Sequence, residues 1–194
     1  MDPQAQINYT SPWGGAHNRW IPPRHPEGQE AREHAMALRT YRHMAEVSAA
    51  HPEAGITWMP GIEYLEAVAA PYDALTEARA AELGMEGFRV LRRDEFPDDR
   101  VQWGCSYRTW CVNPMVYCMF LLRRFVFRGG RIVKREVRDP LELFSLGEDV
   151  LGEGKAAPTI VVNASGNGFG DADMFVTRGT LRRQKPHGSR PSRG

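Results

Sequence analysis

The sequence lacks the features that identify disulfide-rich, zinc-binding, membrane-spanning and nucleic-acid-binding proteins. It has three cysteines among 194 residues, an odd number without a C-x-x-C pair, so neither a disulfide framework nor a thiolate zinc site is indicated. No apolar run approaches the roughly 18 residues that a membrane-spanning helix requires. The 25 lysines and arginines nearly balance 24 acidic residues, which excludes a strong general attraction to nucleic acid or anionic membrane. We therefore expect a soluble intracellular protein with reduced thiols.

Several chemical signatures are missing as well. The six histidines form no H-E-x-x-H motif and no pair at i, i+4, so no metal site is predicted. Ser165 lacks the G-x-S-x-G context of a hydrolase nucleophile, and Cys105 has no recognisable base beside it. The chain also lacks the opening strand, G-x-G-x-x-G turn and helix with which dinucleotide-binding folds begin. The glycines between Gly166 and Gly170 fail that spacing and follow the last predicted strand.

Two segments have the composition, or the start and stop signals, of helices. Residues Glu27–Ser48 are rich in Glu, Ala, Arg, Leu and Met, and apolar residues such as Leu38 and Tyr41 recur at steps of three or four, which predicts one buried stripe on an amphipathic helix. Asn113 is a good N-cap before Pro114, and Gly129 supplies a stop. The pattern predicts a helix over Pro114–Arg128. Its apolar residues surround most of the circumference, which predicts burial against a sheet.

Three short segments have the pattern of strands. Ile56–Met59 predicts a strand that ends at Pro60, and Leu65–Leu83, interrupted by a proline, predicts broken helix and loop. Arg131–Val137 and Thr159–Asn163 predict two further strands. A short helix is predicted between them, from Asp139 to Phe144. The order of helix, strand, helix and strand favours a parallel α/β sheet.

The last residues, 181–194, are basic and rich in Pro, Gly and Ser, with too few apolar groups to fold. We predict a disordered basic tail. An arm that binds nucleic acid is the alternative, and it is disfavoured because the segment has no aromatic residue for base stacking. The C-terminal Ser192-Arg193-Gly194 is not an S-K-L peroxisomal signal, so a cytoplasmic location is favoured over a peroxisomal one.

Two fragments carry a resemblance to a known family. Tyr9–Trp20 reads YTSPWGGAHNRW, and Pro158–Gly170 reads PTIVVNASGNGFG. Together with Arg178-Gly179-Thr180, where Thr180 departs from the usual Gln, they resemble the D-amino-acid oxidase family of FAD-dependent oxidoreductases. The resemblance covers about Tyr9 to Thr180. It implies one domain over residues 1–180 with a partial FAD-binding, Rossmann-like parallel sheet and helices.

In this family the segment that resembles Ser11, Trp13, Gly14, Gly15 and Ala16 lies along the flavin. Small residues suit that place because they let backbone N–H groups approach the ring and stabilise charge on reduced flavin. The competing interpretation is a tight turn packed under nearby tryptophans. The resemblance favours the cofactor role.

The resemblance implies three further cofactor contacts. Val137 matches the family residue on the adenine side of FAD, and Ser165 and Gly166 match the strand end beside the cofactor. Ser165 replaces the usual Thr but keeps a hydroxyl. The alternative for Val137 is an ordinary core position on a strand.

The family's N-terminal dinucleotide unit and its C-terminal substrate-binding part have no counterpart in this sequence, so no catalytic residue is predicted. The first hypothesis is an FAD-dependent oxidoreductase that takes hydride from an amine or amino-acid substrate. It predicts weak FAD affinity unless self-association or a complementing chain supplies the rest. The second hypothesis is a non-catalytic remnant or interaction protein that keeps part of the fold.

Overall fold

The structure, a computed structural model, describes Ser11, Gly14, residues 16–166 and Phe169. The chain divides into two units, with the boundary between Arg131 and Ile132, and each unit is described by itself. The predicted tail at 181–194 lies outside the described residues, and the predicted domain over 1–180 stays a prediction. Within the described part, no helix combines the length and hydropathy needed to cross a bilayer.

The first unit is organised by a four-stranded antiparallel sheet. Its strands are β1 (Ala16–His17), β2 (Ile56–Leu65), β3 (Arg89–Val90) and β4 (Trp103–Val112). β4 pairs with the other three, and its ladder with β2 runs over ten residues. The predicted α/β class is confirmed, but the sheet of the described residues is antiparallel where a parallel one was predicted.

β2 is longer than the sequence predicts, because it continues through Pro60 and Gly61 to Leu65. β2 pairs only with β4 within the described sheet, and an edge strand tolerates a proline that donates no ladder hydrogen bond. Gly61 is required for a different reason. A Cβ atom on it would lie 2.8 Å from Cε2 of Tyr107, its partner on β4, so the Tyr107 ring occupies the space above the glycine.

α1 (Gln29–Ala50) confirms the first predicted helix, and it buries Tyr41, Met44 and Val47. The Tyr41 ring meets Trp58 of β2 edge to face at 5.2 Å, and its hydroxyl donates to Glu86 Oε2 at 2.9 Å. These contacts fix α1 to one face of the sheet. The core around them consists mainly of aromatic and long aliphatic side chains: Trp20, Tyr41, Met44, Tyr72, Leu75, Leu83, Met85, Cys105, Tyr107 and Trp110.

The connection between β2 and β4 contains α2 (Glu77–Glu82) and turns, as predicted for a broken helical segment. Farther along, Arg89 of β3 donates to both oxygens of Glu95, at 2.9 and 2.7 Å. Glu95 also accepts the backbone N–H of Arg92 at 3.0 Å. The hydrogen bonds from Arg89 lower the pKa of Glu95 to about 2.

α3 (Pro114–Phe127) confirms the second predicted helix, and Asn113 caps it by accepting the Val116 N–H at 3.3 Å. The predicted burial of this helix is wrong, since Phe120 alone among its residues is buried. The apolar circumference of α3 predicts a surface that covers it, but the described residues leave most of it exposed. Its exposed large apolar residues are Met115, Val116, Leu121, Leu122, Phe125, Val126 and Phe127.

The second unit contains a 3₁₀ helix over Pro140–Ser145 and α4 (Glu148–Leu151). Asp139 caps the 3₁₀ helix by accepting the Leu141 N–H at 2.9 Å, which confirms the predicted short helix. The two predicted strands are corrected, because residues 131–137 and 159–163 form no strand. A strand needs a neighbour for its backbone N–H and C=O groups, and no described segment pairs with either.

Candidate cofactor site

The first unit contains a groove of about 550 Å³ at one end of the sheet, a size typical of small-molecule sites. Its floor is apolar and its rim carries polar side chains of α1. The lining residues are Ser11, Ala16, Arg39, Thr40, His43, Met44, Trp110, Val112, Pro114, Tyr117 and Cys118.

The groove is built where β1, β4, α1 and α3 come together. Ala16 lies opposite Val112 in the β1–β4 pair, and Trp110 lies two residues before Val112, so all three side chains project from the same face of the sheet. Just beyond β1, the Asn18 N–H donates to the Trp110 carbonyl at 3.0 Å. α3 starts immediately after β4, which brings Tyr117 to the adjoining wall.

One residue that lines this groove carries a buried donor without a partner. Trp110 is 8% exposed, and its indole N–H has no hydrogen-bond acceptor among the described residues. Leaving such a donor unpaired costs on the order of 1–3 kcal/mol. The apolar groove is therefore lined by a residue whose buried N–H is unsatisfied.

These features suit a flavin ring, which is planar and carries nitrogen and carbonyl acceptors. The ring of Tyr117 and the side chain of Met44 give it apolar surface, and Trp110 lines the same groove. Arg39 and His43 lie one helical turn apart at the rim. The positive charge of the Arg39 guanidinium favours an anionic ligand over a cationic one.

The predicted flavin segment is only partly described. Ser11 and Ala16 line the groove, and Gly14 is exposed. Trp13 and Gly15 lie outside the described residues. The structure thus brings two of the five predicted residues to one cavity.

The other predicted contacts belong to the second unit. Val137 is half-buried, and Ser165 and Gly166 are exposed. Ser165 donates from its backbone N–H and its hydroxyl to Asn163 Oδ1, at 3.1 and 2.7 Å. That these residues share a cofactor with the groove stays a prediction.

The opposite face of the sheet carries a polar cluster, defined here as the Arg19 cluster, of Arg19, Glu63 and Tyr107. Arg19 donates through Nε and lies with Nη2 against the same oxygen, Glu63 Oε2, at 2.9 and 2.8 Å. Tyr107 donates its hydroxyl to Glu63 Oε1 at 2.5 Å. The hydrogen bond to Glu63 raises the pKa of Arg19, and burial, with the Glu63 carboxylate, raises that of Tyr107.

Burial also raises the pKa of the Cys105 thiol to about 12, so this cysteine stays a thiol at neutral pH. Cys105 lies directly opposite Glu63 in the β2–β4 ladder. It is 1% exposed, and it lacks the exposure and the lowered pKa of a reactive nucleophile.

Sequence reasoning missed Trp110, Tyr117 and the Arg19 cluster. The available signal was the content of Trp, Tyr, Thr and Val in residues 103–112, which favours a strand and would have predicted β4. The pairing of Arg19 with Glu63 crosses a long sequence separation. No local pattern indicates it.

A family model described as FAD dependent oxidoreductase matches residues 8–193. A D-aspartate oxidase from Talaromyces thermophilus is 39% identical over 173 residues, which cover 89% of this chain and 44% of that relative. The chain thus spans less than half the length of the curated relative that it matches.

Proposed function

Because the chain belongs to the family of FAD-dependent oxidoreductases, we propose that it binds FAD in the groove beside Ala16 and takes part in the oxidation of an acidic D-amino acid. The observation that carries the cofactor proposal is an apolar groove lined by Trp110, whose buried indole N–H has no partner among the described residues. The same groove is lined by Ser11 and Ala16, for which the family resemblance implies a flavin contact.

The residues that would hold the cofactor have distinct roles. Met44 and Tyr117 would pack against the ring, the Trp110 N–H would donate to one of its acceptors, and the backbone around Gly14 and Ala16 would approach it closely. When bound, FAD supplies the oxidising power by accepting hydride from the carbon that bears the amine. The protein's own part is to exclude water from the ring and to fix its orientation.

The acidic substrate is proposed from the relative, which is a D-aspartate oxidase. A family match alone supports only the broader class of amino-acid or amine substrates.

A second candidate function is a non-catalytic interaction protein that retains part of the family fold. The exposed apolar surface of α3 favours it, because Phe127 is 85% exposed and Phe125 is 49% exposed. Apolar side chains of this size on an exposed surface are typical of contacts with another protein surface.

The deciding experiment measures FAD retention. The purified chain is incubated with excess FAD, freed of unbound cofactor by gel filtration, and its visible flavin absorption is compared with its protein concentration. Near-stoichiometric retention supports the cofactor proposal. A colourless protein contradicts it and favours the interaction protein.

A matched pair of variants tests the groove itself. Trp110→Phe removes the unpartnered N–H, and we expect FAD binding to weaken about 2–10-fold, the effect of one hydrogen bond. Trp58→Phe is the control, since the Trp58 N–H already donates to Ser48 Oγ at 2.8 Å and Trp58 is not among the residues that line the groove. Equal FAD retention by the two variants would place the cofactor elsewhere.

A further inference from the structure

The groove beside Ala16 has a polar rim as well as an apolar floor, and α1 supplies the charged part of that rim. We propose that Arg39 binds a phosphate of the flavin cofactor, so that the groove selects phosphorylated flavins over riboflavin. The inference rests on the proposed function and deepens it, because it names the residue that recognises the phosphorylated form. Arg39 would be a binding residue, and His43 would add a hydrogen-bond donor beside it.

The first step of the argument is the way in which α1 lines the groove. Arg39 and His43 are four residues apart, and so are Thr40 and Met44, so two adjacent rows of the helix border the groove. Met44 is 4% exposed, whereas Arg39 and His43 are exposed. The row that ends at Met44 therefore reaches the floor, and the row of Arg39 and His43 stays at the solvent edge.

The second step is the orientation that this arrangement gives to a ligand. Trp110, Tyr117 and Met44 provide apolar surface, and burying a charge among such groups is costly unless the charge is paired. A ligand with an apolar planar end and an anionic end can bury the first and keep the second at the rim. A phosphorylated flavin has this polarity, since its ring and its phosphate lie at opposite ends of the ribityl chain.

The third step is the charge of the lining. The described residues that line the groove include no aspartate and no glutamate, and Arg39 gives them a full positive charge. α3, which forms the adjoining wall, contains two arginines and no acidic residue. A phosphate at the rim would therefore meet a cation without meeting a like charge in the lining.

The fourth step is the availability of the Arg39 guanidinium. Other arginines of this unit are engaged, as Arg24 is with Glu30 and Arg89 is with Glu95. No carboxylate pairs with Arg39 in the part of the chain that the structure describes. Its N–H donors are thus open to a ligand, and the planar fork of a guanidinium matches two oxygens of a phosphate.

His43 provides a second donor at the same rim. Side chains four residues apart on a helix have Cβ atoms about 5–6 Å apart, so one phosphate can contact both His43 and Arg39. Nδ1 of His43 lies 4.0 Å from Glu46 Oε2, which is too far for a hydrogen bond. The imidazole carries at least one N–H donor in either protonation state, so His43 can support a phosphate that Arg39 binds.

An ordinary solvated arginine is the alternative, in which Arg39 only keeps the outer side of α1 in water. That role predicts no difference between ligands that share the same ring. A general positive field around the helix is another alternative. It predicts equal effects of Arg39 and Arg42, because Arg42 is exposed on the same helix but is not among the residues that line the groove.

The test uses the full chain and compares riboflavin with FMN, which differ only in the phosphate. Equilibrium dialysis at low ionic strength measures the dissociation constant of each flavin. We expect the wild type to bind FMN about three- to tenfold more tightly than riboflavin, the effect of a charge-assisted hydrogen bond at a partly exposed site. Added salt should reduce this preference, because salt screens an exposed charge pair.

Three variants sharpen the result. Arg39→Gln should weaken FMN binding about three- to tenfold and riboflavin binding much less, which removes the preference. Arg39→Lys keeps the charge but not the planar fork, so an intermediate preference is expected, and it serves if the glutamine variant fails to fold. Arg42→Gln is the matched control, since it removes the same charge from the same helix outside the groove. It should keep the preference of the wild type.

The inference is overturned if Arg39→Gln keeps the preference for FMN, or if Arg39→Gln and Arg42→Gln lose it equally. It is also overturned if Arg39→Gln weakens both flavins alike, because that result would indicate damage to the groove and not the loss of a phosphate contact. A wild type that binds riboflavin and FMN equally contradicts only the role of Arg39. A wild type that binds neither flavin contradicts the cofactor proposal as well.

Discussion

Replacing Gly61 by alanine should destabilise the first unit through a clash that the structure defines atom by atom. The new Cβ would lie 2.8 Å from Tyr107 Cε2 and 3.0 Å from Thr109 Cγ2, whereas carbon atoms in favourable contact are about 3.5–4.0 Å apart. Both neighbours are held. Tyr107 is 2% exposed with its hydroxyl on Glu63, and Thr109 is fully buried with its hydroxyl donating to the Asn18 carbonyl at 2.7 Å.

The expected magnitude combines two opposing effects. Overpacking a tight core costs about 1–3 kcal/mol, and the Tyr107 ring can retreat only by straining its hydrogen bond to Glu63. Alanine restricts the unfolded chain more than glycine does, which offsets this cost by about 0.4–1 kcal/mol. The net loss in the free energy of unfolding is about 1–2 kcal/mol, or roughly 2–8 °C in the midpoint for a chain of this size.

Urea unfolding followed by tryptophan fluorescence measures this loss. The double variant Gly61→Ala with Tyr107→Leu is the control, because removing the ring should make the alanine harmless or favourable. A clash therefore predicts a coupling between the two substitutions, visible in a double-mutant cycle. If Gly61→Ala is as stable as the wild type, the ring does not lie where the structure places it and the reasoning fails.

The remaining predictions concern a helix cap and an ion pair. Asn113→Ala removes the side chain that caps α3, so the free energy of unfolding measured in urea should fall by about 1 kcal/mol, while Asn113→Asp should retain most of it. Glu95 has its pKa lowered to about 2 by Arg89, so its contribution is complete above its unfolded value of about 4.5 and is lost as the pH falls toward 2. Glu95→Gln should accordingly flatten the dependence of stability on pH between 4.5 and 2, measured by thermal unfolding. An unchanged slope would show that the ion pair with Arg89 does not form in solution.

Local signals in the sequence predicted the helices well and the sheet poorly. α1 and α3 carry their own composition, caps and stops, such as Asn113 before Pro114, and such signals act within a few residues. β2 was predicted too short because Pro60 reads as a breaker, although an edge strand accepts it. β4 was missed because its pairing with β2 joins residues far apart in sequence.

The candidate site likewise combines residues that a local motif predicts with residues that only the strand pairing brings together. The resemblance predicted Ser11 and Ala16, which line the groove, because that motif is contiguous. Trp110 is brought to the same cavity only by the register of β1 on β4, and Arg19 meets Glu63 only through the packing of the segment after β1. Neither relation is visible in the sequence before the strand pairing is known.

The ten-residue ladder between β2 and β4 has a consequence for tolerance to change. A slip of one residue would move Tyr107 and Cys105 to the opposite face and exchange them for Arg108 and Ser106. Insertions inside either strand should therefore prevent the first unit from folding. The exposed turns of the connection over residues 66–102, outside α2 and β3, are under a different constraint, because closing a flexible loop costs only about 0.6 kcal/mol more for each doubling of its length. Peptide tags and added segments are best placed in the exposed stretches of that connection, such as the one around Asp98 and Asp99. Added length there costs little stability and does not change the strand register.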